Sequence, residues 1–324
     1  MFQWPNPNMP PKAKMVEIAQ LRYLSEAIFI VNSKKIAKIV LKNETVHITQ
    51  IAEAIDCHEH NLYRIMSYLA SFGIFEEKEG KHFSGNDLSD CMDEKSPNSC
   101  HMILSAFGNQ KWKEAIINLE KALEKNNERT PFQLVTGSTF YDYLKGDKEM
   151  QRNFDLGVGE NTEVFQSKIP SIYDFSKFTT VVDIAGGAGG FAKAILLKNL
   201  NVRVSIFESP SVIHNIKPEL FNEEPFKSRF TAVAGDFMES INVTADIFTI
   251  AMTLHCFEDA RLNVILKNIH GAMKKTPGSK LLIVETDYEA GFSLNKPSGA
   301  RTVSFSFFFL SSPNPPLFSY TRWI

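Results

Sequence analysis

The sequence has few cysteines and no long hydrophobic run, and each absence excludes a class of protein. Four cysteines stand among 324 residues, none of them in CxxC spacing, which argues against a zinc site or a disulfide framework and favours reduced thiols. No apolar stretch reaches the ~18 residues of a membrane span, and the first residues lack the apolar core of a signal peptide. We therefore expect a cytoplasmic protein with no membrane partner.

Positive and negative charges are nearly balanced. The chain has 35 Lys and Arg against 37 Asp and Glu, a formal net charge of −2 at pH 7. Such a balance offers no electrostatic reason to expect a nucleic acid or an anionic membrane as partner. With 44% hydrophobic residues the composition is that of a globular protein. The length suffices for two domains of ~100–200 residues each.

Apolar, strand-like runs alternate with helical segments in the second half of the chain. The runs are TTVVDIA, VRVSIFE, FTAVAGDF, ADIFTIAMTLH and KLLIVETD. Short apolar strands separated by helices are typical of βαβ units, whose strands form a parallel sheet. We therefore predict an α/β, Rossmann-like fold with five strands near residues 180, 204, 232, 248 and 282.

The first half is mostly helical in pattern and contains a helix-turn-helix sequence. A helix start at residues 47–55, with Thr49 as the expected cap, precedes a second helix with apolar residues at helical spacing, namely Leu62, Ile65, Met66 and Leu69. Gly73 is expected to end that helix, and two short strands, GIFEE and KHFSG, follow. Many DNA-binding proteins have this shape, but residues 40–90 contain nine acids and four Lys or Arg. DNA requires the opposite sign, so we expect a packing or dimerisation module.

A glycine-rich loop follows the first strand of the second half, in VVDIAGGAGG at residues 181–190. Residues 187–192, GAGGFA, fit the G-x-G-x-x-A pattern in which a helix N-terminus binds a pyrophosphate, so an NAD(P)-dependent reductase stays an alternative. Asp183, three residues before Gly186, opposes that interpretation. A carboxylate is unfavourable beside a pyrophosphate and favourable beside an ammonium or sulfonium cation. S-adenosylmethionine carries both cations.

Two further acids follow the next two strands. Glu208 ends the run IFE, where a carboxylate can accept hydrogen bonds from both hydroxyls of a ribose. Gly235, Asp236 and Phe237 follow the third strand and offer an acceptor for an adenine amino group beside an aromatic ring. Each acid alone is explained by a helix cap. Three acids after three successive strands favour an adenosyl ligand without phosphates.

His255 stands directly after the fourth strand. Ligands of open α/β sheets bind beyond the carboxyl ends of the strands, so His255 is expected to face the ligand cleft. Methyl transfer to oxygen requires removal of the hydroxyl proton, and an imidazole that is neutral near pH 7 suits that step. The sequence therefore predicts His255 as a general base. The other histidines are expected to be structural.

Taken together, these residues make the chain resemble the small-molecule O-methyltransferases of the caffeic acid and hydroxyindole (N-acetylserotonin) type, over roughly residues 15–290. Relatives have D-x-G-G-G-x-G, F-D-x-P and L-H-D-W where this chain has DIAGGAGG, FESP at 207–210 and LHCF at 254–257. The hinge stretch TFYDYL at residues 139–144 matches as well. The resemblance implies a winged-helix dimerisation domain followed by a Rossmann-like methyltransferase domain.

The resemblance also implies a homodimer that transfers a methyl group from S-adenosylmethionine to the hydroxyl of a small aromatic molecule. His255 would be the general base, and Glu285, at the end of the fifth strand, would help to place it. The cofactor would be held by Asp183, Gly186, Glu208, Gly235, Asp236, Phe237 and Met252. The broad apolar helix over residues 15–31 agrees with a partner subunit.

The chain departs from the family pattern beside the expected base and in the glycine loop. Cys256 replaces an Asp that usually follows the histidine, and Met252 stands where relatives often carry Arg or Lys. Ala185 takes the place of a glycine, a small change. These departures leave open an alternative function, a catalytically inactive dimerisation partner of the same fold.

We predict four segments. They are a winged-helix dimerisation domain at 1–110, a helical linker and hinge at 111–175, the S-adenosylmethionine-binding domain at 176–290, and a divergent, disordered tail at 291–324. From Val303 onward no Asp, Glu or Lys occurs, and prolines break any strand. Relatives continue after Glu285 through two antiparallel strands, so the resemblance implies that these C-terminal strands are missing here. Our hypothesis is that the tail derives from an altered reading frame or a retained intron.

Overall fold

The computed structural model describes residues 9–257 and 259–285, and for residues 161–165 it describes the backbone alone. The chain divides into two compact units, Met1–Asn109 and Gln110–Ile324. The tail predicted at residues 291–324, with its expected disorder and lost strands, lies outside the described residues. Among the helices that are described, none is both long enough and apolar enough to cross a membrane.

The first unit is a helical bundle with one small sheet. Its helices are α1 (Pro11–Ser33), α2 (Ile36–Leu41), α3 (Ile48–Ala54), α4 (Glu59–Ser71), α5 (Asp87–Asp90) and α6 (His101–Phe107). Its strands are β1 (Val46–His47), β2 (Glu76–Lys78) and β3 (His82–Ser84), paired antiparallel in the order β1-β3-β2. The helix-turn-helix α3–α4 is therefore followed by the β2–β3 hairpin, in the order that the sequence predicts.

Apolar spacing determines the interior of this unit. Leu62, Met66 and Leu69 of α4 are buried against Ile51 and Phe83, as the spacing of the apolar residues predicts. Gly73 has φ of +76° just beyond the end of α4, which confirms its predicted role.

The predicted cap of α3 was wrong. His47, not Thr49, is the N-cap, because its Nδ1 accepts the Thr49 N–H at 3.3 Å. The Thr49 hydroxyl instead donates to Glu59 at 2.9 Å, which ties α3 to the start of α4. Histidine is not among the side chains usually preferred at an N-cap, so the sequence favoured the threonine.

The second unit contains a five-stranded parallel sheet with helices before and between the strands. The helices are α7 (Gln110–Ile117), α8 (Leu119–Ala122), α9 (Pro131–Thr136), α10 (Phe140–Gly146), α11 (Lys148–Gln166), α12 (Ile169–Ile172), α13 (Gly190–Lys198), α14 (Pro210–Ile213), α15 (Glu219–Asn222) and α16 (Asp259–Met273). The strands are β4 (Thr180–Ile184), β5 (Arg203–Glu208), β6 (Phe230–Ala234), β7 (Ile247–Ala251) and β8 (Lys280–Val284), in the order β6-β5-β4-β7-β8. Two 3₁₀ turns span Phe175–Lys177 and Leu254–Cys256. The predicted α/β class and all five predicted strands are confirmed.

The sheet order places a ligand cleft at the end of β4. From β4 the chain passes to β5 and β6 on one side and then returns to β7 and β8 on the other. Such a reversal opens a crevice at the carboxyl ends of the strands. Asp183 pairs with Ile206 of β5 and Thr249 of β7, so the acid lies in the middle of the sheet next to this crevice.

Candidate active site

The glycine loop joins β4 to α13 through a series of left-handed residues. Ala185, Gly187 and Gly189 have φ of +56°, +54° and +89°. Gly189 also has no room for a side chain, because a Cβ there would lie 2.5 Å from Leu220. The predicted glycine requirement is therefore real at this position. Ala185 adopts the same left-handed conformation with a side chain, which L-residues do at a cost of about 1–2 kcal/mol.

Asp183 is buried beneath this loop with one oxygen satisfied. The Thr249 hydroxyl donates to Oδ1 at 2.7 Å, and the side chain is 1% exposed. Oδ2 has no hydrogen-bond partner within the described part of the chain. It lies against the loop, since a Cβ built on Gly186 would come within 2.7 Å of it. The pKa of Asp183 is raised to about 7, mainly by burial and further by the negative charge of Glu208, although the hydrogen bond from Thr249 acts to lower it.

Glu208 ends β5 and holds the loop from the other side. Its Oε2 accepts the N–H of Gly187 at 3.2 Å, and its Oε1 accepts the N–H of Ser209 at 2.6 Å. Burial raises the pKa of Glu208, although these hydrogen bonds act in the opposite direction. The structure thus brings Asp183, Gly186 and Glu208 together around one loop, as the sequence predicts.

Gly235, Asp236 and Phe237 follow β6 at the same edge of the sheet. The N–H of Gly235 donates to the backbone oxygen of Glu208 at 2.9 Å, which fixes this turn beside β5. Asp236 Oδ1 accepts the N–H of Met238 at 2.7 Å, so the acid also stabilises its own turn. Asn268 of α16 donates to the Phe237 oxygen at 2.9 Å.

His255 lies in the 3₁₀ turn after β7 and forms a close pair with Glu285. Its Nδ1 is 2.6 Å from Glu285 Oε2, and the two side chains are 11% and 2% exposed. The other carboxylate oxygen of Glu285 accepts the N–H groups of Thr253 and Leu254, at 2.8 and 2.7 Å. One carboxylate therefore fixes both the backbone of the turn and the ring of the histidine.

Met252 precedes this turn in a left-handed conformation, with φ of +53°. Its N–H donates to the Val284 oxygen at 2.8 Å, so β8 determines where the chain leaves β7. The turn thus presents His255 at the same edge of the sheet as the glycine loop.

The surroundings of His255 favour the protonated imidazole. Burial lowers its pKa, but the hydrogen bonds and charges of Cys256 and Glu285 outweigh burial and raise the pKa to about 10. This protonated state differs from the expectation drawn from the sequence, which was an imidazole that is neutral near pH 7. Cys256, which replaces the Asp of relatives, also accepts the Tyr141 hydroxyl at 3.4 Å.

Sequence reasoning missed two side chains of this unit. Tyr141 of α10 reaches Cys256, although the sequence indicates it only as part of a hinge. Asp155 of α11 accepts the Asn215 side-chain N–H at 2.9 Å, and burial with the charge of Glu208 raises its pKa to about 6. Both lie on helices, where no strand end indicates that a side chain lies near the candidate site.

The residues present fit a cationic adenosyl ligand better than a pyrophosphate. Asp155, Asp183 and Glu208 all have raised pKa values, and each acid disfavours a further negative charge nearby. Asp183 offers an oxygen that no described residue satisfies. An ammonium cation relieves both conditions and a sulfonium cation relieves the first, whereas a pyrophosphate worsens the first.

The sequence of this unit matches a known family. The O-methyltransferase domain family covers residues 116–308, more than half of the chain. The chain belongs to this O-methyltransferase family. Family members take their methyl group from S-adenosylmethionine, so the predicted enzyme class and cofactor are confirmed. The match continues past residue 290, the domain boundary predicted from the sequence.

Individual relatives agree with the family. Phenazine O-methyltransferase of Lysobacter antibioticus is 25% identical over 280 residues, which cover 86% of this methyltransferase and 79% of the relative. Human N-acetylserotonin methyltransferase, solved with S-adenosylmethionine, has the same fold, with a TM-score of 0.80, 17% identity and coverage of 94% and 88% of the two chains. An O-methyltransferase from neocarzinostatin biosynthesis, solved with S-adenosylmethionine and 2-hydroxy-5-methyl naphthoic acid, gives a TM-score of 0.69, 17% identity and coverage of 89% and 85%.

Proposed function

We propose that this methyltransferase transfers a methyl group from S-adenosylmethionine to the hydroxyl of a small aromatic molecule, with His255 as general base. The observation that supports this most directly is the His255–Glu285 pair, 2.6 Å apart, at the sheet edge that also holds the glycine loop. A buried histidine oriented by a carboxylate is an arrangement that enzymes use for general-base catalysis. The main alternative is an inactive chain of the same fold.

Strand-end residues of the sheet would hold the cofactor. Asp183 and Gly186 lie where the glycine loop leaves β4, and Glu208 lies beside them at the end of β5. Gly235, Asp236 and Phe237 would receive the adenine at the end of β6, and Met252 lies at the end of β7. S-adenosylmethionine, when bound, supplies a methyl group activated by a positively charged sulfur.

Proton removal falls to the imidazole of His255. A neutral ring that donates its Nδ1 proton to Glu285 carries its lone pair on Nε2. The hydroxyl O–H bond breaks and the proton moves to Nε2. The electron pair left on the oxygen would form the new bond to the methyl carbon, and the bond from that carbon to sulfur would break, with its electron pair leaving on the sulfur of S-adenosylhomocysteine. Glu285 then stabilises the imidazolium that results.

Aromatic rings near the turn support an aromatic substrate. Tyr141 contacts Phe140 and Phe154 edge to face, with ring centroids 5.6 and 6.4 Å apart, and its hydroxyl reaches Cys256 beside His255. Edge-to-face packing on such rings favours a flat aromatic ligand. The phenazine, N-acetylserotonin and naphthoic acid relatives described above agree with this class of substrate.

Binding and turnover test the proposal separately. Calorimetric titration with S-adenosylhomocysteine, with NADPH as control, is expected to show binding of the first ligand alone, and Glu208→Ala is expected to abolish it. Turnover of a panel of phenols, indoles and hydroxyphenazines is then expected to disappear in His255→Ala while S-adenosylhomocysteine still binds. Binding without turnover of any such substrate would favour the inactive alternative. No binding by the folded chain would reject the cofactor site.

We also propose that the protein is a cytoplasmic homodimer. Several large apolar side chains of α1 are exposed in the single chain, namely Met15, Val16, Ile18, Tyr23 and Ile30. An apolar helix face of this kind is typical of a subunit interface. Light scattering during size exclusion is expected to give twice the mass of the chain, and Ile18→Lys is expected to shift it toward the monomer.

A further inference from the structure

Asp155 lies on the face of α11 that packs against the glycine loop. One turn further along that face, a Cβ built on Gly159 would lie 3.0 Å from the Cβ of Ala188 in the loop. Residues four apart share a helix face, so Asp155 lies on the side of α11 that is turned toward this loop. Asn215, after α14, donates to its Oδ2 at 2.9 Å and fixes the carboxylate there.

Asp155 interacts electrostatically with Glu208 at the end of β5 and with Tyr141, which contacts the turn that carries His255. The charge of Glu208 acts on Asp155 and helps to raise its pKa. The Tyr141 phenol, which contacts Cys256 beside His255, lies within electrostatic reach of both Asp155 and Glu208. Asp155 is therefore an electrostatic neighbour both of the end of β5 and of the turn that carries the base.

An independent observation indicates a missing donor at the same loop. Asp183 Oδ2 is buried, has no partner among the described residues, and faces the Cα of Gly186. A buried carboxylate oxygen without a donor is unfavourable, and native proteins normally satisfy it with a ligand, water or side chain. An ammonium group supplies three N–H donors and a positive charge, which suits one carboxylate below the loop and a second beside it.

We propose that Asp155 is a further cofactor-binding residue, whose carboxylate binds the ammonium group at the methionyl end of S-adenosylmethionine. The inference rests on the proposed function and adds a contact from α11 to those from the strand ends. Asp155 and Asp183 would then enclose the ammonium from two sides of the loop, while Glu208 holds the ribose. The negative charges that repel one another in the free protein would be offset by the bound cation.

Two neutral-thioether ligands separate this role from a structural one. S-adenosylhomocysteine carries the ammonium, whereas 5′-methylthioadenosine has the same adenosine without the amino-acid part. The Asp155→Asn substitution keeps the shape of the side chain and an acceptor for Asn215. Calorimetric titration is expected to show that it weakens the binding of S-adenosylhomocysteine about tenfold, because one partly buried charge pair is lost. Binding of 5′-methylthioadenosine, titrated to millimolar concentration, is expected to stay within about twofold.

Two further variants complete the comparison. Asn215→Ala removes the hydrogen bond that fixes Asp155 but keeps the negative charge of Asp155. It is expected to weaken the binding of S-adenosylhomocysteine less than Asp155→Asn does. Glu208→Ala is expected to weaken the binding of both S-adenosylhomocysteine and 5′-methylthioadenosine. Equal loss of both ligands in Asp155→Asn, or no loss of either, would overturn the inference. A wild-type chain that binds neither ligand would instead reject the proposed function itself.

Discussion

Glu285 joins two parts of the candidate active site through one carboxylate. Its Oε2 lies 2.6 Å from Nδ1 of His255, while its Oε1 accepts two backbone N–H groups of the turn that carries the histidine. The ring and its supporting turn therefore depend on the same residue.

Glu285→Gln should separate charge from geometry. Glutamine retains an oxygen for the turn but loses the negative charge that stabilises the imidazolium. We expect kcat to fall about 10- to 100-fold and the melting temperature to fall because the buried charge pair with His255 is lost, with unchanged binding of S-adenosylhomocysteine. Glu223→Gln, at an exposed glutamate of the same domain, is the matched control. A glutamine variant as active as wild type would remove Glu285 from the mechanism.

The pH dependence of turnover should reveal the raised pKa of His255. Only the neutral ring can accept the hydroxyl proton, so kcat/KM is expected to rise with pH above neutrality toward an apparent pKa well above 6.5. Cys256→Ala removes one of the groups that raise this pKa, so the rising limb is expected to move to lower pH. A profile that is flat above pH 6 in wild type, or unmoved in the variant, would contradict this electrostatic effect.

Asp183→Asn should stabilise the free protein and weaken cofactor binding. The native pKa of about 7 lies above the unfolded value, so ionisation of Asp183 costs stability as pH rises from about 4 to 7, and the full cost is present above pH 7. Asparagine removes that cost, and we expect the free energy of unfolding at pH 8 to increase by about 2–4 kcal/mol.

Urea denaturation at pH 5 and pH 8 measures the effect of Asp183→Asn, and the gain should be smaller at pH 5. Titration with S-adenosylhomocysteine should show weaker binding at both pH values. Thr249→Val, which removes the hydroxyl donor but keeps the acid, should instead destabilise the protein. A stabilised Asp183→Asn variant that binds the ligand as tightly as wild type would show that Asp183 has no role in the site.

Ala185→Gly should stabilise the loop without changing its shape. Ala185 has φ of +56°, where glycine avoids the steric cost of the side chain. We expect the free energy of unfolding to rise by about 1 kcal/mol, partly offset by the larger entropy of glycine in the unfolded chain. Gly189→Ala, at φ of +89° and against Leu220, should destabilise the protein. Thermal melts check both variants: the melting temperature should rise in Ala185→Gly and fall in Gly189→Ala.

The strand-end residues were predictable because their positions follow from local rules. Apolar runs separated by helices determine a parallel sheet, and the carboxyl ends of its strands share one edge. Asp183, Glu208 and the Gly235–Phe237 segment are therefore placed near one another by the sequence pattern alone. His255 was predictable for the same reason, while Glu285 was assigned by resemblance alone.

The remaining features depend on contacts between residues distant in sequence. Nothing local to Asp155 or Tyr141 indicates that α10 and α11 bring them toward Glu208 and Cys256. The raised pKa of His255 likewise arises from the acid 30 residues further along the chain and from the neighbouring thiol. The strain at Ala185 appears only when the loop closes against β5.

The sequence by itself determined the fold class, the five strands and the edge of the sheet that carries the candidate site, because periodicity and turn chemistry are local properties of the chain. Only the tertiary structure decided the directions of the pKa shifts in the candidate site and the contacts of Tyr141 and Asp155. Burial and the distances between charges are properties of packing, and packing joins α11, β5, β7 and β8 from widely separated parts of the chain.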